Sequence, residues 1–331
     1  MYIFVWGVCM LKIGNVSIEK TAALAPMASV ADRAYRTICK EFGACYVVGE
    51  MVSAKGLCFS PDKALDLITV TEKERPMAVQ LFGGDPEYFE KALPKVLEFK
   101  PDIIDINMGC PVPKVTKNNS GCMLMKDPKL AEQIAKSVVK NSSVPVTVKI
   151  RKGWDNDSLN AVDFAKRMQD CGVSALTIHG RTKADMYSNK ADWNIIAQVK
   201  KSLNIPVIAN GDIISPETAK DMYDFTGADL IMVGRGSFGR PWLFKQISTY
   251  LKTGKYEEDP TVFERMEIMK KHIALICEDK GEQVGMKQAR AHAIRYLYGI
   301  RDAAKYREKC SRLTSFVELL ALIDDILKNQ N

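Results

Sequence analysis

The sequence predicts an α/β protein: a (β/α)8 TIM barrel followed by a smaller all-helical domain. Three observations carry this expectation. Eight short apolar runs recur between Thr21 and Val233, most without polar alternation, as in strands buried on both faces. Helix-like stretches lie between most of them, and such alternation marks a parallel sheet covered by helices. Eight units within roughly 220 residues favour closure into a barrel over an open doubly wound sheet.

The strand-like runs are Thr21–Met27, Cys45–Met51, Met77–Phe82, Ile103–Met108, Val146–Ile150, Ala175–His179, Pro206–Ala209 and Leu230–Val233. The clearest helical stretches are Arg33–Phe42, Pro86–Phe99, Pro128–Lys140, Leu159–Cys171, Ile195–Lys201 and Pro216–Phe225. Residues 54–74, after the second strand, give no firm pattern. Composition shifts after Tyr250, and Lys255–Pro260 reads as a linker. Beyond it, Thr261-x-x-Glu264 and Ser315-x-x-Glu318 have the form of capping boxes. The expected division is a catalytic barrel over residues 1–250 and a helical domain over residues 261–331.

The 331 residues are 47% apolar and carry a net charge of +7, which permits an anionic partner without demanding one. Nine cysteines, scattered without a C-x-x-C pair, read as neither a disulfide framework nor a zinc site, and no metal is expected. Reduced thiols fit a cytoplasmic protein. The stretch Met1–Leu11 is apolar and uncharged, lacks a basic leader region and is too short to span a bilayer. Met10 is an alternative start. No membrane association and no obligate protein partner is expected.

In this barrel the chemistry sits at the carboxyl ends of the strands. The first run ends Ala25-Pro26-Met27, the third carries Gln80, and the fourth runs into Asn107-Met108-Gly109-Cys110-Pro111. The fifth delivers Lys149 and Arg151, the sixth His179-Gly180-Arg181, the seventh Asn210-Gly211-Asp212 and the eighth Gly234-Arg235-Gly236. Glycine-rich ends of the last two strands let backbone N–H groups approach a phosphate, or form simple turns. Gly234-x-Gly236-x-x-Gly239 is no dinucleotide fingerprint, because it follows the last strand rather than the first. Lys149, at the end of an apolar strand, implies a buried anion such as a flavin, or an ion pair with Asp105 or Asp212. Cys110, between glycine and proline, is placed for chemistry, and an ordinary thiol is a proton donor at neutral pH. From Met286 to Arg312, eight lysines and arginines face two acidic residues, with Tyr296, Tyr298 and Tyr306 interleaved. That is either a nucleic-acid face or a solvated amphipathic helix.

Together these motifs resemble the tRNA-dihydrouridine synthases. The resemblance rests on Asn107-Met108-Gly109-Cys110-Pro111-Val112-Pro113-Lys114-Val115 with Ser120-Gly121, on Ala25-Pro26-Met27-Ala28 with Asp32-Arg33, on His179-Gly180-Arg181-Thr182 with Ala191-Asp192-Trp193, and on Asn210-Gly211-Asp212-Ile213. It implies flavin mononucleotide (FMN) as cofactor, NADPH as reductant and tRNA as substrate. Pro26 and Met27 would then pack on the isoalloxazine, Gln80 would bond its pyrimidine edge, and Lys149 and His179 would hold its reactive side. Asn210, Gly211, Asp212, Gly234 and Arg235 would carry the ribityl phosphate. Cys110 would be the general acid, and Asn107 would orient the uracil. Arg181, with Lys287, Arg290, His292 and Arg295 of the tail, would contact the RNA. Cys122 stands where the family usually has alanine, and Ala291 interrupts a run that is often basic. Two other readings are a flavin barrel acting on a small molecule, like a dihydroorotate dehydrogenase, and a non-catalytic RNA-binding protein on the same barrel. Ribosomal RNA is the alternative substrate.

Overall fold

The computed structural model describes residues 2–5, 8–60 and 64–330. The chain opens with a three-stranded antiparallel sheet, β1 (Tyr2–Val5), β2 (Val8–Ile13) and β3 (Val16–Glu19). Met1 lies outside the described residues, and the sequence reading did not foresee these strands. Eight parallel strands follow: β4 (Ala22–Leu24), β5 (Val47–Ser53), β6 (Met77–Phe82), β7 (Ile103–Met108), β8 (Val146–Arg151), β9 (Ala175–His179), β10 (Val207–Asn210) and β11 (Leu230–Val233). They close in chain order, with β11 paired to β4 through Val233 and Leu24. The first strand is shorter than expected, because Pro26 has no N–H to give the ladder.

Successive side chains point to opposite faces of a strand, and this decides what reaches the barrel axis. Leu24, Val79, Ile106, Val148, Ile178 and Val233 face outward into the core beneath the helices. The alternate set faces inward. Its lower members, including Ala23, Ala78, Ile103, Ala175, Ile208 and Leu230, are apolar and pack against Leu11, Ile13 and Ile18 of the opening sheet. That sheet therefore covers the barrel floor. The upper inward members are polar: Gln80, Asp105, Asn107, Thr147, Lys149, His179 and Asn210.

The barrel helices begin with α1 (Arg33–Glu41), capped by Asp32, whose carboxylate accepts from Tyr35 N. The uncertain link after β5 holds two short helices, α2 (Ala54–Phe59) and α3 (Leu65–Ile68), and a three-ten turn, Glu72–Glu74. Next come α4 (Pro86–Leu97), α5 (Pro113–Thr116), α6 (Pro128–Asn141), α7 (Ala161–Asp170), α8 (Trp193–Ser202) and α9 (Pro216–Thr226). An unforeseen helix, α10 (Leu243–Thr253), closes the ring.

Four helices complete the chain: α11 (Val262–Lys280), α12 (Glu282–Tyr296), α13 (Ala303–Arg312) and α14 (Phe316–Lys328). They bury Met266, Ile273, Met286, Ala293, Leu319 and Ile326 in a core of their own, which also takes in Ala34 of α1 and Trp242. No helix among the described residues is long and apolar enough to cross a membrane.

Candidate active site

The polar carboxyl ends of the strands line a cavity of ≈ 580 Å³ at the barrel mouth. That volume lies in the usual range for small-molecule and cofactor sites. Of the residues expected in a site, Pro26, Met27, Gln80, Asn107, Cys110, Lys149 and His179 line it. So do Asn210, Gly211, Asp212, Gly234, Arg235 and, from the helical bundle, Arg295.

Strand register builds the floor of this cavity. Asp105 on β7 sits opposite Gln80 on β6 and Thr147 on β8. Its two oxygens accept from Gln80 Nε2 at 2.6 Å and Thr147 Oγ1 at 2.5 Å. Gln80 Oε1 accepts from Asn107 Nδ2 at 2.8 Å, so the glutamine amide is held in one orientation. Asn107 Oδ1 then accepts from Gly109 N at 3.2 Å and Cys110 N at 2.8 Å. Asn107 thereby fixes the backbone on which the thiol stands, and its oxygen is already engaged.

The Cys110 thiol is half-buried, and burial pushes its pKa above the ordinary thiol value. It is protonated at neutral pH. Cys110 O accepts from Cys122 N at 3.0 Å, and Gly121 between the segments has φ +59°. A Cβ at Gly121 would come within 2.8 Å of Cys110 O, so this crossing needs glycine twice over. Cys122 is fully buried, its pKa pushed up to about 12 by burial, and both thiols are free.

Lys149 Nζ donates to Asn210 Oδ1 at 3.0 Å, and Asn210 Nδ2 donates to Met232 O at 2.8 Å. Neither expected carboxylate pairs with Lys149: Asp105 serves Gln80 and Thr147, while Asp212 holds Arg181 at 2.8 Å and Arg235 at 3.4 Å. Burial and the nearby Arg151 charge lower the Lys149 pKa to about 8. His179 is driven well below the usual imidazole value by burial and by Lys149, Arg151 and Arg181, so it is neutral. Its Nε2 lies 3.3 Å from Arg181 Nη1. Arginine only donates, so Nε2 accepts and the ring proton sits on Nδ1.

Four of the expected RNA-contact residues lie outside the cavity wall. Arg181 is 3% exposed and spends its guanidinium on Ser188 O, Asn189 O, His179 and Asp212. It braces the loop after β9 and is absent from the cavity wall. His292 is 1% exposed, because positions 289, 292, 293 and 296 form the inward stripe of α12. Lys287 is exposed and Arg290 is half-buried with Nε on Leu313 O at 2.7 Å, both outside the cavity. Arg295 alone of the tail residues reaches the rim, its guanidinium 5.0 Å from the Phe238 ring.

The cavity wall also includes residues to which the sequence reading gives no role. Arg151 donates to Gly109 O at 2.9 Å and Thr182 O at 2.6 Å, tying the Cys110 segment to the loop after β9. Tyr187, 54% exposed in that loop, lies 5.0 Å from the Arg235 guanidinium. Met51 and Phe238 add apolar surface. The strand-end rule already names Arg151, without a role, and extended to the second strand it finds Met51. Tyr187 and Phe238 stand in segments without periodicity.

The family model described as Dihydrouridine synthase (Dus) matches residues 23–331. The chain is 38% identical over 323 residues to tRNA-dihydrouridine synthase B of Shewanella oneidensis, covering 96% of this chain and 100% of that protein. It is 42% identical over 297 residues to tRNA-dihydrouridine synthase B of Vibrio parahaemolyticus, covering 90% and 92%. A probable tRNA-dihydrouridine synthase of Rickettsia conorii is 42% identical over 299 residues, covering 90% of each chain. Among solved structures, morphinone reductase in complex with tetrahydroNAD aligns over 76% of this chain and 92% of its own, with TM-score 0.53 and 13% identity. The old yellow enzyme homologue of Zymomonas mobilis aligns over 76% and 94%, with TM-score 0.53 and 14% identity. At such identity these two share the barrel fold with this chain.

Proposed function

The chain belongs to the dihydrouridine synthase family, and from that premise we propose that it reduces specific uridines of tRNA to 5,6-dihydrouridine, with FMN in the barrel cavity and NADPH as electron donor. It acts in the cytoplasm, with the barrel of residues 1–250 as catalytic domain and residues 261–331 as the RNA-binding domain. The observation that carries this reading is the meeting of the protonated Cys110 thiol, the Lys149 ammonium and the open Gly234–Arg235 rim around one ≈ 580 Å³ cavity.

The residues fit FMN. Pro26 and Met27 offer an apolar wall from the end of β4, and Gln80 has one amide hydrogen beyond the one given to Asp105. Lys149 has Asn210 as its one hydrogen-bond partner among the described residues, which leaves donors for an anionic ring edge. A Cβ at Gly234 would meet only Ala25 Cβ at 3.7 Å and Met27 Sδ at 3.9 Å, so the space beside this cavity-lining glycine is uncrowded. Gly211 and Asp212, with Asp212 holding Arg235, complete a phosphate cradle with Asn210 below it. FMN, when bound, supplies reversible hydride transfer.

The protein's part is binding, orientation and one proton. Neutral His179 offers Nδ1–H without adding charge beside Lys149. Cys110 Sγ–H gives its proton to carbon 5 of the uracil, and Asn107 holds the Cys110 backbone in place while it does so. A target base must leave its stack to enter a barrel mouth, at a cost of about a few kcal/mol. Contacts between RNA phosphates and Lys287, Arg290 and Arg295 offset that cost.

Cys110→Ala tests the reading. Bound flavin and NADPH oxidation should persist while tRNA reduction falls by about 10²–10⁴-fold, the usual share of a general acid. Mass mapping of dihydrouridine in tRNA reads the result, and undiminished product would remove Cys110 from the mechanism. Turnover with free pyrimidines but not tRNA would instead favour a small-molecule enzyme.

A further inference from the structure

The joint between the helical bundle and the barrel holds a polar cluster that the proposed reaction does not use. Asp32 precedes α1 of the barrel, while His272 and His292 come from α11 and α12. One ligating atom from each lies within 4.8 Å of the others. The histidines are 0% and 1% exposed.

Asp32 commits Oδ1 to Tyr35 N at 2.8 Å, and its Oδ2 faces His292 Nε2 at 3.6 Å. That is too long for a hydrogen bond. It is close to the roughly 3.4 Å between two ligands that each lie about 2.1 Å from a tetrahedral ion. His272 Nδ1 stands 3.1 Å from the Tyr296 hydroxyl, while its Nε2 has no hydrogen-bond partner among the described residues. Nδ1 of His292 also has none. Buried polar atoms normally find partners, so the orphaned Nε2 of His272, facing this cluster with its Nδ1 already held by Tyr296, calls for a ligand. A histidine tied through one ring nitrogen and free at the other is the usual arrangement of a metal ligand.

The surroundings agree. Tyr35 packs 5.3 Å from the His272 ring and 5.7 Å from the His292 ring, and Phe238 lies 5.4 Å from His292, so bulk water is excluded.

We propose that Asp32, His272 and His292 bind one divalent transition-metal ion of the zinc class, which pins the helical bundle to the barrel. Two imidazoles and a carboxylate are a donor set suited to zinc. The ligands come from three separate segments, which is why cysteine spacing gives no hint of them. The site is structural, since it lies outside the wall of the catalytic cavity, although Phe238 touches both.

The test uses the full-length, flavin-loaded protein, stripped with a chelator and titrated with zinc chloride alone against a chromophoric competitor. One equivalent should bind, and the melting temperature should rise with zinc. Asp32→Asn keeps an acceptor for Tyr35 N but loses the charge, and His272→Gln removes the imidazole. Each should weaken zinc binding by more than about 100-fold, beyond the usual effect of removing an outer-shell partner. If His272→Gln does not fold, Asp32→Asn carries the comparison. Failure of folded wild-type protein to bind zinc or gain melting temperature overturns the proposal. So does undiminished uptake in Asp32→Asn, which would assign the metal to the cysteines.

Discussion

Lys149 shows how far surroundings set the chemistry of one residue. Its pKa is lowered to about 8 from 10.5, so folding costs most where the ammonium is fully charged, below pH 8. Between about pH 8 and 10.5 the unfolded chain holds a proton that the folded chain has released, and stability must rise with pH there. Flavin-free wild type should therefore gain stability relative to Lys149→Met across that window, as urea unfolding at stepped pH would reveal. A pH-independent difference would mean that the lysine titrates normally. At this scale the sequence was legible where the period-two rule of strands applied. Gln80, Asn107, Lys149, His179 and Asn210 all stand on the inward set at a carboxyl end. Arg181 and His292, assigned to RNA through the resemblance, lie buried off the cavity wall, because a motif gives residue type and not direction. One is consumed by backbone carbonyls of its own loop, the other lies on the inner stripe of its helix.

Among the elements, helix starts were the most readable feature, because capping is local chemistry. Thr261 and Glu264 make the full reciprocal box at α11, with Thr261 N on Glu264 Oε2 at 2.8 Å and Glu264 N on Thr261 Oγ1 at 3.3 Å. At α14 the similar pattern gives half of it. Ser315 Oγ accepts from Glu318 N at 3.3 Å, but the Glu318 carboxylate bonds Thr314 N at 2.7 Å, one residue further back. Thr261→Ala should cost about 1 kcal/mol, seen as a lower denaturation midpoint with an unchanged slope. No change would mean that packing alone starts α11. The segments the sequence did not yield are those held by tertiary contacts: the opening sheet, the short helices after β5, and α10. In each, burial against the barrel outweighs a weak local pattern.

For the whole molecule, a net charge of +7 becomes informative once its geometry is known. Arg235 and Arg295 stand at the cavity mouth and Lys287 lies exposed on α12, so cations extend from the site over the bundle. Lys287→Glu with Arg295→Glu should raise KM for tRNA and flatten its salt dependence, each lost phosphate contact removing about 0.7–0.9 from the log–log slope. NADPH oxidation without RNA should be unchanged. A KM for tRNA indifferent to both charges and salt would move the RNA to another face.

The opening sheet gives the barrel a sealed base, since Leu11, Ile13 and Ile18 stopper the amino ends of its strands. A vessel closed at its base admits its visitors in turn through the mouth above. On the proposed function, the reductant and the extruded nucleotide queue for the same entrance, the first departing before the second arrives. Initial-rate plots should run parallel, and spent dinucleotide should compete with tRNA rather than with its own reduced form. Intersecting lines would require a second way in.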